Sequence, residues 1–211
     1  MKLTVLGATG GIGRQIVQQA LDADHDVTAV VREKSRLALD HPALRVVAAD
    51  PTDAWALVPF VTGRDAVLSG LGPRGRKLVG IASAGTAAAL QAMAAAEVHR
   101  VIVVSAAPLA PIPDGESFFL RRIGTPMIRA VLRDSYADLA EMEALLRDSG
   151  AEWTSVRPPR LTDKPLTGGY RRVIGGAVPR GMSISRADVA HAMLSMVDDQ
   201  AAFRQAVGVA Y

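Results

Sequence analysis

Lys2-Leu3-Thr4-Val5-Leu6 runs straight into Gly7-Ala8-Thr9-Gly10-Gly11-Ile12-Gly13, and the reading of this stretch decides the fold. An apolar run of strand length stops at Gly7, and glycines recur at positions 7, 10 and 13. Beyond them Ile12, Ile16, Val17, Ala20 and Leu21 repeat at helical spacing. Strand, glycine turn and amphipathic helix in that order supply what a diphosphate needs. The turn is tight, and the backbone amides that follow stand at a helix N-terminus where a Cβ would block close approach. Three glycines alone are a weak signal; their place between a strand and a helix, with a second strand following, carries the assignment.

Working outward, Asp26–Val31, residues 44–48, 65–69, 100–105 and 152–156 read as further strands, Val-rich and apolar on both faces. Such runs belong in a buried parallel sheet. Residues 82–97 form an Ala-rich helical segment, and residues 138–148 carry Leu139, Met142, Leu145 and Leu146 on one side. Alternation of strand and helix about six times predicts an α/β fold with a doubly wound parallel sheet and right-handed crossovers, as one domain over residues 1–211.

Two stretches break the alternation and are expected to lie over the carboxyl edge of the sheet, on the substrate side. Residues 106–134 carry Pro108, Pro111, Pro113, Gly115, Gly124 and Pro126 with Phe118, Phe119 and Met127, too long for an ordinary connection. Residues 157–182 are rich in proline and glycine, after which Ser185 caps the last helix with Asp188 three residues on.

Composition narrows the function. The 211 residues are 49% hydrophobic and 21% charged, the profile of a folded globular chain. A formal charge of +3 is nearly balanced, so no nucleic-acid partner is expected. Without cysteine there is no disulfide, thiolate nucleophile or zinc-thiolate site. His25, His41, His99 and His191 stand in no metal-ligand spacing, so no metal is expected. The first apolar run is too short for a signal-peptide core, and nothing approaches the ~20 apolar residues of a membrane span, so a cytoplasmic location and no membrane partner are expected.

The second strand ends at Arg32, where an NAD-selective site places a carboxylate for the ribose 2′-hydroxyl; a cation there suits a 2′-phosphate, with Arg36 beyond it. NADPH is therefore expected over NADH, although Glu33 carries the opposite charge and a solvated charged turn is the competing reading. After the third strand, Asp50 and Pro51 are candidates for the adenine edge, unless Asp50 simply begins the next helix.

The glycine turn, Arg32, Asp50 and Leu71-Gly72-Pro73 together resemble the atypical short-chain dehydrogenase/reductases. Residues Ser155 to Tyr170, containing Arg157-Pro158-Pro159-Arg160, and residues 184–190, Ile-Ser-Arg-Ala-Asp-Val-Ala, resemble more closely the biliverdin reductase B or NADPH-dependent flavin reductase family and its bacterial NADH-flavin-reductase-like members. The resemblance implies a Rossmann enzyme, monomeric or weakly homodimeric, that passes a hydride from NADPH to a small-molecule acceptor such as a flavin, a linear tetrapyrrole or a quinone. It implies cofactor contacts from Gly7, Thr9, Gly10, Gly11, Ile12, Gly13, Arg32, Arg36, Asp50, Pro51, Leu71, Gly72, Ser105, Ala106 and Pro158, with Ser105 beside the nicotinamide. Arg160 departs from the histidine of the family, which suits an acceptor bearing a carboxylate or phosphate.

The Tyr/Lys pair usual in short-chain reductases is absent, since Tyr136 is followed four residues on by Ala140. Ser105, Arg160 and Tyr136 are the candidate catalytic residues. Against each stands a plainer role: a turn-capping serine, a solvated loop arginine, a helix-start tyrosine. Tyr170 is open in the same way. The alternative function is an NmrA-type redox sensor that binds NADP without turnover.

Overall fold

β1 (Lys2–Leu6) is an interior strand of the sheet, with Leu3, Val5 and Leu6 at 0% exposure. The computed structural model describes residues 1–33, 37, 39–72, 79–110 and 133–211. On one side β1 pairs with β2 (Asp26–Val31) and beyond it β3 (Leu44–Ala48). On the other side follow β4 (Ala66–Ser69), β5 (Arg100–Val104), β6 (Glu152–Arg157) and β10 (Gln205–Ala210), all parallel. The chain thus goes from β1 to opposite sides for β2 and β4, and the carboxyl ends of these strands open the crevice where such sheets bind ligands.

Helices cover both faces. α1 (Gly11–Asp22) packs with α5 (Arg186–Ser195) on one face; α2 (Ala54–Val61), α3 (Ile81–Ala95) and α4 (Arg133–Asp148) pack on the other. Strand side chains alternate between the two cores. Leu3, Val5 and Ile102 face α1 and α5, whereas Leu6, Val101 and Val103 face the other layer. Burial of each Val, Leu or Ile contributes roughly 1.5–3 kcal/mol, which is why these strands read as unbroken apolar runs. The predicted α1 stripe of Ile12, Ile16, Val17, Ala20 and Leu21 is buried as a set. Among the described residues no helix is long and apolar enough to cross a membrane.

Several boundaries differ from the sequence reading. Asp65 stands just before β4, its carboxylate accepting the Lys2 backbone N–H at 2.6 Å. Ser105 stands just past β5, its N–H donating to the Val156 carbonyl at 2.7 Å. α4 begins five residues before the expected Asp138, at Arg133. α2 was given no bounds by the sequence, because Pro59 sits inside it; Asp53, and not Asp50, caps it by accepting from the N–H groups of Trp55 and Ala56. The 157–182 stretch, expected to be irregular, contains β7 (Arg160–Thr162) and β8 (Arg171–Ile174). β8 closes the sheet as an antiparallel edge on β10, so the sheet is mostly, not wholly, parallel. β7 pairs instead with β9 (Ser183–Ser185), forming a small second sheet just before α5. Residues 111–132 of the long loop lie outside the described residues, and so does Arg36.

Arg100 stitches these parts together. Its buried guanidinium donates to the carbonyls of Glu152, Met196 and Val197 and to Thr154 Oγ1, and its Cζ lies 4.4 Å from the Phe203 ring centroid. Burial pulls its pKa down to about 10.

Candidate functional site

The glycine turn is tight for steric reasons that can be read atom by atom. Gly7 has φ +71°, and a Cβ on it would meet the Gly70 carbonyl carbon at 2.8 Å. A Cβ on Gly13 would lie 2.1 Å from the Gly7 carbonyl oxygen. Gly10 N–H donates to that same oxygen at 2.8 Å, closing the turn against the first residue of α1. Gly10 caps α1 with no side chain, and no acid stands in the first helical turn. The entry to α1 therefore suits an anion such as the diphosphate of a dinucleotide, and the missing Cβ atoms let the turn close against Gly70 and α1 pack over it.

Gly7, Thr9, Gly10, Arg32, Pro51, Leu71 and Gly72 line one cleft at the carboxyl ends of β1, β2 and β4, together with Val30, Val31, Gly70 and Ile81. Seven of the predicted cofactor residues are thus brought together. Ile12 and Gly13 are buried beneath the turn, and Gly11 meets the side chain of Arg186. Arg32 is exposed at the mouth. Asp50 makes a local turn, accepting from Thr52 N–H at 2.9 Å and from the Thr52 hydroxyl at 2.7 Å. Those two hydrogen bonds, the backbone one foremost, and the nearby Arg32 charge hold its carboxyl below the usual range.

Ser105 and Ala106 follow β5 at the same sheet edge, and the Ala107 N–H donates to the Pro158 carbonyl at 2.9 Å, so Pro158 stands beside them. The Ser105 hydroxyl is buried and meets no partner with full hydrogen-bond geometry among the described residues. It nevertheless lies close enough to Glu143 to help hold that carboxylate ionised. Glu143 Oε1 accepts from Ser155 Oγ at 2.8 Å and Arg157 Nε at 2.9 Å, and Oε2 accepts from Arg157 Nη2. Burial alone would raise the Glu143 pKa; hydrogen bonds from Arg157, Ser105 and Ser155 and the Arg157 charge outweigh it and lower the pKa.

This buried pair was missed by the sequence reading, although a signal existed. Glu143 falls on the same helical stripe as Leu139, Met142 and Leu146, where an acid requires a buried cation, and Arg157 ends β6, a strand buried from Trp153 onward.

The remaining candidates are more dispersed. Arg160 is exposed at the start of β7, opposite Ser183. Tyr136 is half-buried in the first turn of α4 and packs against the core shared by α2, α3 and α4. Tyr170 is engaged elsewhere, its hydroxyl 2.8 Å from His191 Nδ1 on α5. The predicted Ser185 cap is present, accepting the Asp188 N–H at 2.9 Å. Asp188 in turn gathers the hydroxyls of Tyr211, Ser185 and Thr167 and the N–H groups of Thr167 and Gly168. Burial, which acts to raise its pKa, is overcome by these bonds, and the carboxyl is held down at about 2.

Fold and turn define a dinucleotide-binding protein of the doubly wound class. The sequence model of the NAD(P)H-binding family matches residues 7–200, and the chain belongs to that family. An uncharacterized chloroplastic protein of Arabidopsis thaliana is 29% identical over 96% of this chain and 74% of its own. Among solved structures, a short-chain dehydrogenase/reductase of Veillonella parvula in complex with NADP superposes with a TM-score of 0.83 at 22% identity, over 100% of this chain and 94% of that one. A Streptococcus pneumoniae protein described as an NADH-flavin reductase superposes with a TM-score of 0.81 at 24% identity, over 100% and 99% of the two chains. These superpositions show that the chain shares the doubly wound fold of those proteins.

Proposed function

We propose that the protein is an NADPH-dependent reductase of a flavin, quinone or related conjugated acceptor. The observation that carries the reading is Ser105: a buried hydroxyl beside an ionised Glu143–Arg157 pair, at the sheet edge that the glycine cleft shares. In this reading the glycine turn holds the diphosphate, Arg32 meets the 2′-phosphate, and Asp50 and Pro51 flank the adenine end. NADPH, when bound, supplies the hydride. Ser105 holds the reacting rings in register and presents its hydroxyl to charge that develops on the acceptor. Arg160 offers a guanidinium to an acceptor carboxylate or phosphate. No tuned proton donor is required of the chain, because a reduced flavin takes its proton from water; this accommodates Ala140 at the position where a lysine would activate Tyr136.

The test follows the loss of NADPH absorbance with FMN, FAD, riboflavin, quinones and biliverdin offered singly to the wild type and Ser105→Ala. Turnover with one acceptor class, falling on Ser105→Ala while NADPH affinity holds, is the expected result. Tight NADPH binding without turnover on any acceptor supports instead the redox sensor, the reading that Ala140 favours.

A further inference from the structure

Arg186, the first residue of α5, occupies space that belongs to the glycine turn. Its Cδ and Nε lie 2.5 and 2.8 Å from the point where a Cβ on Gly11 would stand, and its Cζ lies 3.8 Å from it. Gly11 is the first residue of α1, so the arginine stem occupies the place a side chain at position 11 would take, at the mouth of the turn. The packing is fixed from below by α5 lying along α1, where Gln19 Nε2 donates to the Ala187 carbonyl at 2.9 Å.

The guanidinium itself is only loosely committed. Its ion-pair partner is Asp163 Oδ1 at 2.5 Å, on a side chain 87% exposed, while Arg186 is 31% exposed. An ion pair with so solvated a partner is worth little, so exchanging it for another anion costs little. The diphosphate of a dinucleotide in this fold sits against the turn that Gly11 ends.

We propose that Arg186 is a ligand of the cofactor diphosphate, its guanidinium leaving Asp163 for a phosphate oxygen when the dinucleotide binds. The proposal rests on the dinucleotide reading of the cleft and deepens it, adding a cation that sequence order hides. Arg186 lies far from the glycine turn in the chain and is brought to it only by the α1–α5 packing. Because the diphosphate is common to NADPH and NADH, Arg186 contributes affinity without choosing between them. That separates it from Arg32, which faces the end where the two cofactors differ.

The test is equilibrium binding of NADPH and NADH to wild type, Arg186→Met and Asp163→Asn. Arg186→Met keeps most of the packed stem and removes the charge. It is expected to raise Kd by about tenfold or more for both dinucleotides, by the same factor, as the loss of a charge-assisted hydrogen bond. Asp163→Asn, which frees the guanidinium, is expected to tighten both. Unchanged affinities in Arg186→Met, or a loss confined to NADPH, overturn the assignment. If Arg186→Met does not fold, Asp163→Asn decides: tighter binding of both cofactors supports the proposal and unchanged binding overturns it. Failure of the wild type to bind either dinucleotide overturns the reading of the cleft itself and this proposal with it.

Discussion

A Cβ on Gly13 would stand 2.1 Å from the Gly7 carbonyl oxygen, the same oxygen that accepts the Gly10 N–H. One carbonyl therefore closes the turn and rules out any side chain where α1 packs over it. The obstacle is backbone, so nothing flexible yields. Gly13→Ala is expected to cost about 3 kcal/mol of stability and to abolish dinucleotide binding. Gly72→Ala, whose added Cβ meets nothing within 4 Å, is expected to fold like the wild type. Urea denaturation of both variants checks the contrast.

Arg32 sets cofactor choice in this account. Arg32→Glu is expected to weaken NADPH binding by about 1–3 kcal/mol, roughly a fivefold to 150-fold rise in Kd, and to spare NADH. Titration with the two cofactors in parallel gives the ratio, and an unchanged ratio would sink the role assigned to Arg32.

The central strands β1, β2, β4 and β5 were legible because nearly all their residues are buried and most are apolar. α2 was not, since Pro59 interrupts the pattern that otherwise marks a helix, and its cap is Asp53, three residues after the more conspicuous Asp50. β10 escaped notice because its residues are small and include Gly208, where a Cβ would meet the Gly176 carbonyl oxygen at 2.4 Å. Seven of the residues expected at the cofactor line one cleft, because local motifs at the ends of β1, β2 and β4 place them there. The Glu143–Arg157 pair was not legible, because it arises from contact between elements separated in the chain.

The buried Glu143–Arg157 pair makes a strong demand on the fold. With side chains 5% and 9% exposed, removal of the acid alone leaves a cation stranded beneath Ser105. Glu143→Ala is expected to destabilise the protein by about 3–5 kcal/mol, whereas the double variant Glu143→Met with Arg157→Met recovers most of that loss. Chemical denaturation of the single and double variants measures the difference.

Asp188 predicts a specific acid sensitivity. Its folded pKa, about 2, lies below the ordinary 3.8, so the folded state binds its proton less readily than the unfolded chain. The stability it contributes is present above about pH 4 and is lost as pH falls toward 2, amounting to about 1–2 kcal/mol once solvent screening is allowed for. Asp188→Asn is expected to be less stable near neutrality and to lack this portion of the acid transition, which unfolding curves across that window resolve.

The most direct measurement is an anaerobic stopped-flow mixing of the protein with NADPH and FMN, with cofactor and flavin absorbance followed together. Both absorbances are expected to decline at one shared rate, one flavin reduced per NADPH consumed, well above the protein-free mixture. NADPH that binds and stays reduced while the flavin remains oxidised, with the other acceptors equally inert, would contradict it.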